Sequence, residues 1–291
     1  MNKFCQGLGM SFRRALFEKS LIVTLIVIFW SSSGNAQSDA CLGKPVFVIE
    51  TATVSECSRL LTIIAPYQKF QKEGITYYCG RFKGYPVLLT STGIGEVYAA
   101  ATNTLLISTY HPKFILFVGI AGKLTPQLKY GDVVVGSEVY QVQHLDMSIE
   151  RVNRVNPNTG LVYSPLLKPK SEIIEFVKTF PSFKNFSVFL GRIATTNTYP
   201  ESKTLIRDIL KTGSKAVAME DYAIIATCEL LNANCLTVRA ISDNPQKILI
   251  MDNENRYCIS ASERASAMDN LVSFVKVFLD KWLQVKGNLG S

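Results

Sequence analysis

One stretch, residues 216–244, constrains the fold of this chain more than any other. It reads AVAMEDYAIIATCELLNANCLTVRAISDN, in which two short apolar runs enclose a segment whose apolar residues recur at helical spacing. Apolar runs rich in β-branched residues are typical of buried parallel strands, so the stretch predicts a strand, a helix and a second strand. Such a unit belongs to an α/β fold.

Each of these two predicted strands is followed or ended by a carboxylate, Glu220 and Asp243. Parallel strands joined by one crossover point the same way, so both acids should reach the carboxyl edge of one sheet, where open α/β sheets bind ligands. A purely structural role is the alternative. Glu220 would then be only an acid in the first turn of the helix, and Asp243 would only begin a turn before Pro245.

Apolar strands alternate with helices along most of the remaining chain. The 291 residues are 47% hydrophobic and 19% charged, which is enough to bury a sizeable core. We therefore expect an α/β fold, a single domain over residues 37–291 with a central mixed, largely parallel twisted sheet flanked by helices.

Local patterns predict several element boundaries. The segment TATVSECSRLLTIIAPYQKF reads as a helix broken near Pro66, and a turn at Lys83 and Gly84 joins two strands. A helix is expected over residues 171–180, another is started by Pro200, and a last amphipathic helix covers about residues 260–282.

The amino terminus has the pattern of an export signal. Four basic residues precede an apolar run from Leu21 to Trp30, and the small polar stretch SSSGNAQ follows it. The run is too short to span a bilayer, so residues 1–36 are predicted to be a signal peptide cleaved after Ala36. The mature protein is then expected in the periplasm or outside the cell, with no stable membrane insertion after cleavage.

Charge and cysteine content limit the other classes of partner. Removing residues 1–36 lowers the formal charge from +8 to +5, and no basic run with interleaved aromatic residues remains, which argues against nucleic acid. Six cysteines stay in the mature chain at irregular spacing, so both disulfides and buried free thiols are open. No CxxC pair occurs, and two distant histidines, His111 and His144, argue against a metal site. His144 with Asp146 could line a pocket or lie at a strand end.

Two glycine turns follow predicted strands, around Gly93 and around Gly122. Small residues there let the backbone approach a ligand, and a helix amino terminus offers free N–H groups. Tight packing alone would also explain the glycines. Glu56 lies after the first strand, in the opening turn of a helix.

Taken together, three motifs resemble those of the purine nucleoside phosphorylase and nucleosidase superfamily. They are STGIGEVYAAATNTLL, FVGIAGKLTPQLKYGDVVVGSEV and the stretch at residues 216–244, and with the strand-helix start at Glu56 they occur in the family's order and at about its spacing. Within that superfamily the chain is most similar to the 5′-methylthioadenosine/S-adenosylhomocysteine nucleosidases. The resemblance covers nearly all of residues 37–291.

This resemblance implies a hydrolase that cleaves the N-glycosidic bond of a purine nucleoside without a metal or organic cofactor. Asp243 matches the acid that protonates purine N7, and Glu56 matches the base that activates water, although a helix-start role remains open for Glu56. Glu220 matches the residue that holds the ribose hydroxyls. The other residues implied in substrate binding are Met219, Tyr199, Gly93, Ala121 and Gly122, with Arg239 and Ser242 as supports that orient Asp243. A homodimer is also implied.

The chain departs from the family pattern at three positions. Glu50 replaces a small residue at the end of the first strand, Ile120 stands where a Ser is common, and Ala218 replaces an acid. These departures bear on substrate preference. Two other functions stay open: a phosphate-dependent phosphorylase, for which Arg59 and Arg81 are the nearest candidate phosphate ligands, and a non-catalytic nucleoside-binding or storage protein.

Overall fold

The structure is a computed structural model, and it describes residues 45, 47–142, 164–199, 201–246 and 261–287. These residues belong to one compact unit, Gln37–Ser291. The strands are β1 (Phe47–Thr51), β2 (Tyr67–Lys72), β3 (Ile75–Phe82), β4 (Tyr85–Ser91), β5 (Phe114–Lys123), β6 (Val133–Gln141), β7 (Leu166–Leu167), β8 (Val188–Thr195), β9 (Ala216–Ala218) and β10 (Cys235–Asp243). The helices are α1 (Val54–Leu60), α2 (Glu96–Tyr110), α3 (Ser171–Lys178), α4 (Lys203–Lys211), α5 (Asp221–Leu230) and α6 (Ala261–Gly287).

A single mixed sheet contains all of these strands, in the order β10-β6-β8-β9-β5-β1-β4-β3-β2 with β7 beside β6. Parallel pairs include β1 with β4 and β5, and β10 with β5, whereas β2, β3 and β4 form an antiparallel meander. Helices pack on the sheet, α6 against one hydrophobic cluster and α2 with α5 against another. The predicted α/β class with a mixed sheet is confirmed.

Part of the sheet closes on itself. β10 pairs with both β5 and β6, β8 pairs with β6 and β9, and β9 returns to β5. This ring corrects one expectation from the sequence: β9 is antiparallel to β5 while β10 is parallel to it, so the two strands are not parallel neighbours. Gly122 pairs with Val217 on one side and Asp243 on the other, and it is this register that brings the two strands' ends together.

Two predicted boundaries are wrong for a local reason. After Pro66 the chain continues as strand β2 and not as helix, because Tyr67–Lys72 pairs antiparallel with β3. Helix α4 begins at Lys203, where the Ser202 side chain accepts a hydrogen bond from the N–H of Leu205, so a serine cap takes the place of the expected proline start. His144 and Asp146 lie outside the described residues.

Both possible states of cysteine occur. Cys228 at the end of α5 is bonded to Cys235 at the start of β10, and Cys79 is also in a disulfide. Cys57 is a buried free thiol. Among the described residues, no helix is long and apolar enough to cross a membrane.

Candidate active site

A cavity of about 390 Å³ opens where the start of α1, the ends of β5, β9 and β10, and the first turns of α6 meet. Most of the residues that the sequence singled out lie on its wall. They are Glu56, Ala121, Gly122, Tyr199, Met219, Glu220, Arg239 and Asp243. The cavity therefore collects carboxylates from three separate elements, as a site for acid-base chemistry requires.

Asp243 ends β10 on the cavity wall and is 4% exposed. Burial raises the pKa of this carboxyl above its ordinary value, and the hydrogen bond from Ser242 and the charge of Arg264 offset only part of that increase. Ser242 Oγ donates to Asp243 Oδ1 at 2.7 Å, which fixes the rotamer of the acid. A carboxyl group with a raised pKa can carry a proton into the site and act as a general acid.

Glu220 precedes the first residue of α5 and is 2% exposed. Its Oε1 accepts the N–H of Gly95 at 3.0 Å, and its Oε2 accepts Arg239 Nη2 at 2.8 Å. Burial raises the pKa of Glu220, while Arg239 and the Gly95 N–H act in the opposite direction. Glu220 is thus bonded both to Arg239 of β10 and to the first glycine turn.

Arg239 supports a different acid from the one expected. Its Nη2 contacts Glu220 at 2.8 Å and Asp221 at 2.7 Å, and its Nη1 is 3.4 Å from the Ile120 carbonyl oxygen. The assignment of Arg239 as a support for Asp243 is therefore corrected: Ser242 alone of the two makes that contact. The physical reason is that residues 239 and 243 lie four positions apart on a strand, too far for a guanidinium that is already held by two carboxylates.

Glu56 has a structural role and also faces the cavity. Its Oε2 accepts the N–H and the hydroxyl of Thr53, both at 2.9 Å, which completes a capping box at the start of α1. Its Oε1 accepts the N–H of Ile120 on β5 at 2.9 Å. The helix-start role is real, but it does not exclude a role as the base, because Glu56 also lines the cavity.

Comparison of the sequence with known proteins identifies the family of this chain. The sequence model of the phosphorylase superfamily matches residues 46–273. The chain belongs to this superfamily. It is 30% identical over 184 residues to the 5′-methylthioadenosine/S-adenosylhomocysteine nucleosidase of Pseudoalteromonas translucida, covering 60% of this chain and 74% of that protein. Over 174 residues it is 29% identical to the Staphylococcus haemolyticus protein of the same name, covering 58% of this chain and 73% of the relative.

Solved structures of a futalosine hydrolase and of a nucleosidase have the same fold. Futalosine hydrolase of Helicobacter pylori superposes with a TM-score of 0.70 at 19% identity, covering 82% of this chain and 98% of that one. The nucleosidase from the same organism, in complex with butyl-thio-DADMe-Immucillin-A, gives 0.69 at 19% identity, covering 82% and 99%. The predicted family is confirmed by the superfamily match, and the predicted class of enzyme, hydrolases of N-glycosidic bonds, by the names of the nucleosidase relatives.

Two predicted residues of this phosphorylase superfamily site lie off the cavity wall. Gly93 has φ +96°, and its N–H donates to the Ala52 carbonyl, so it shapes the turn that presents Ile94 to the cavity. Ser242 is buried and acts through Asp243. Gly122 is needed as a glycine, because a Cβ there would lie 2.5 Å from Pro245 and 3.0 Å from Asp243 Oδ2.

Other groups at the site were missed from the sequence. Asp221 binds Arg239, Arg264 of α6 lines the cavity, and Glu201 is buried, with burial and the charge of Asp243 raising its pKa to about 7. The sequence offers one signal for Asp221, its position directly beside Glu220. It offers no signal for Arg264, a single arginine on an amphipathic helix.

Of the two candidate phosphate ligands, Arg59 lines the cavity, whereas Arg81 donates a hydrogen bond to the Gly84 carbonyl in a turn. Among the described residues, no group of three or more His, Cys, Asp or Glu is placed to hold a metal ion.

Replacing Gly119 with Ala is expected to lower kcat/KM for base release about 10²-fold, because misplacing site residues by about 1 Å has such an effect. A Cβ at residue 119 would lie 2.6 Å from Arg239 Nη1 and 2.7 Å from Glu56 Oε1, so one of the two must move. Steady-state kinetics would measure the change. Ser58→Ala, a surface substitution on α1, is the control, and an unchanged kcat/KM for Gly119→Ala would contradict the close packing of these two groups.

Proposed function

We propose that this chain hydrolyses the N-glycosidic bond of a purine nucleoside such as 5′-methylthioadenosine or S-adenosylhomocysteine, and releases adenine. The observation that carries the proposal is the pairing of two buried carboxyl groups in one cavity, Asp243 and Glu220, each held by its own hydrogen-bond donors. The names of the similar nucleosidases supply the substrate class. A solved relative from Helicobacter pylori holds 5′-methylthioadenosine in its active site.

Breaking this bond leaves positive charge on the ribose and negative charge on the purine. Asp243 gives its proton to purine N7, so that the base leaves as a neutral molecule. Glu220 accepts hydrogen bonds from the 2′ and 3′ hydroxyls, and its negative charge stabilises the cationic sugar as it forms. Met219 packs on the ribose, and Tyr199 contacts the sugar or the base.

Water completes the reaction at the anomeric carbon. Glu56 is the proposed base, because it lines the cavity while the Thr53 and Ile120 donors hold its carboxylate in place. It takes a proton from the water as the C–O bond forms. The donors that bind its oxygens also fix the direction in which the base can approach a water molecule.

Glu56→Gln is expected to lower kcat for adenine release by about 10²–10⁴-fold, the usual contribution of a general base. The assay would follow base release from methylthioadenosine, S-adenosylhomocysteine, adenosine and inosine, with and without phosphate. Glu172→Gln in the first turn of α3 is the matched control, because Glu172 is also a helix-start acid but is exposed. If both variants keep full activity, Glu56 is a capping residue only.

Phosphorolysis is the second candidate, and one observation favours it. Arg59 and Arg264 both line the cavity, so an anion could approach the sugar. A phosphorylase would release base only with phosphate and form ribose 1-phosphate. Tight nucleoside binding with no turnover in either condition would instead point to the binding or storage protein.

Export and dimerisation are two further parts of the proposal. The pattern of residues 1–36 supports export, as does the disulfide between Cys228 and Cys235, since disulfides persist in oxidising compartments. Detection of the full-length protein in the cytoplasm alone would count against it. A homodimer is supported by exposed apolar side chains, two of which, Ile94 and Tyr199, line the cavity. The others are Val54, Val97 and Tyr98. Val97→Glu should then shift the sedimentation coefficient to that of a monomer.

A further inference from the structure

Asp221 is the most completely buried acid beside the site, at 0% exposure. It is the first residue of α5, directly after Glu220. Both of its oxygens lie 3.1 Å from Arg239 Nε, and Oδ2 also accepts from Nη2 at 2.7 Å. This is a two-point contact between a planar fork of donors and a carboxylate, the geometry that most strongly fixes an arginine side chain.

The contact determines where the other donors of Arg239 point. With Nε and one side of Nη2 bound by Asp221, the remaining hydrogen of Nη2 is directed at Glu220 Oε2, 2.8 Å away. Nη1 is left on the side of Gly119, where Glu56 Oε1 also lies. The ring of Phe117, 4.8 Å from the guanidinium carbon, covers one face of the group. One guanidinium thus adjoins the carboxylates of both Glu220 and Glu56, and Asp221 holds it from the other side.

Charge points to the same role. Among the described residues, three carboxylates surround this one guanidinium: Glu56, Glu220 and Asp221. The pKa of Arg239 stays above its ordinary value because the charges of Asp221 and Glu220 outweigh the effect of burial. The negative charge of Asp221 in turn acts to raise the pKa of Glu220. Asp221 and Glu220 share the positive charge of one guanidinium. The charge of Glu220 is therefore less neutralised than it would be if Glu220 were the only partner of Arg239, and Glu220 is a better acceptor for hydroxyl groups.

We propose that Asp221 is a positioning residue for ribose recognition, which acts through Arg239 to set the orientation and charge of Glu220. The inference rests on the proposed function only in taking a nucleoside as the ligand. Asp221 is not among the residues that line the cavity. Its effect should therefore appear in the affinity for the sugar and not in the affinity for the base.

The test compares two uncleavable ligands by calorimetry: adenine, and a C-nucleoside analogue of adenosine whose ribose is joined to the base by a C–C bond. The dissociation constant of adenine divided by that of the C-nucleoside reports the contribution of the ribose to binding. In Asp221→Asn, we expect the C-nucleoside to bind at least tenfold more weakly and adenine to bind within twofold of the wild-type value. Glu229→Gln, at the exposed far end of α5, removes the same charge and should leave both constants unchanged.

Equal weakening of both ligands would indicate general damage to the fold and would overturn the inference, as would an unchanged ratio. Thermal unfolding of each variant is measured alongside. If Asp221→Asn does not fold, Asp221→Glu carries the test: the carboxylate is kept but moved by one methylene, so the ratio should fall at least threefold, and an unchanged ratio would overturn the inference. A wild-type protein that binds the C-nucleoside but releases no adenine from any nucleoside refutes the proposed function, while the comparison of variants still decides the role of Asp221.

Discussion

Asp243→Asn should lower kcat for adenine release from methylthioadenosine by about 10²–10⁴-fold, the range expected for loss of a general acid. An amide of nearly the same shape keeps the contact with Ser242 but has no acidic proton to give to the purine. Affinity for the uncleavable C-nucleoside should change little. Single-turnover kinetics, which separate the chemical step from binding, would measure the effect, with Asp208→Asn on the surface of α4 as the control.

The pH dependence gives an independent check on the same residue. Because burial raises the pKa of Asp243, the acid form persists to higher pH than for an ordinary aspartate, and activity should fall only as the pH rises through that raised pKa. The hydrogen bond from Ser242 stabilises the charged form and lowers the pKa. Ser242→Ala should therefore move the alkaline limb of kcat/KM to higher pH. A limb that stays in place would show that Asp243 is not the titrating group.

The site could be predicted from the sequence to the extent that it depends on short motifs. The apolar runs and helical spacing of residues 216–244 correctly indicate β9, α5 and β10, and the two carboxylates do reach one cavity. The route is different from the predicted one. β9 has only three residues and is parallel to β8 but antiparallel to β5, so Glu220 reaches the cavity from the junction of β9 and α5, and β9 is not a parallel neighbour of β10.

Contacts between segments that are distant in the sequence could not be predicted from short motifs. The family resemblance implies Arg239 as a support for Asp243, yet its partners, Glu220 and Asp221, lie at the preceding junction of β9 and α5. Burial decides this outcome: a guanidinium at 1% exposure must be paired, and α5 offers two carboxylates side by side. Similarly, Tyr67–Lys72 has no strong strand pattern and becomes a strand because β3 offers it a free edge.

Glu50→Gln is expected to raise the free energy of unfolding at neutral pH, because the amide has no proton to lose on unfolding; the gain is about 1.4 kcal/mol for each pH unit by which the pH exceeds the unfolded pKa, up to the folded pKa. Glu50 lies in β1, a strand that is buried along its whole length; it is 0% exposed, and neither of its oxygens has a hydrogen-bond partner among the described residues. Alternation along the strand places its side chain with Val48, on the face that holds Tyr77 and Phe117. Burial in these surroundings raises the pKa of Glu50 well above its ordinary value.

The sign of the pH dependence follows from that shift. Below pH about 4.5 Glu50 is protonated in both the folded and the unfolded chain, so it makes no difference to stability. As the pH rises, the unfolded chain loses this proton while the folded chain keeps it, which favours unfolding increasingly until the pH passes the folded pKa. The gain in stability from Glu50→Gln should therefore grow from pH 4.5 upward, as urea unfolding at several pH values would measure.

A second substitution separates the charge of Glu50 from its polarity. Glu50→Met has similar length and no hydrogen-bonding group, so it should match Glu50→Gln in its pH dependence and exceed it in stability at every pH, because it leaves no buried polar atom unpaired. If the stability of Glu50→Gln follows the wild-type pH curve in parallel, the carboxyl group is not held in its neutral form by burial. Such a result would mean that water or an unidentified partner reaches the end of β1, only six residues from the proposed base.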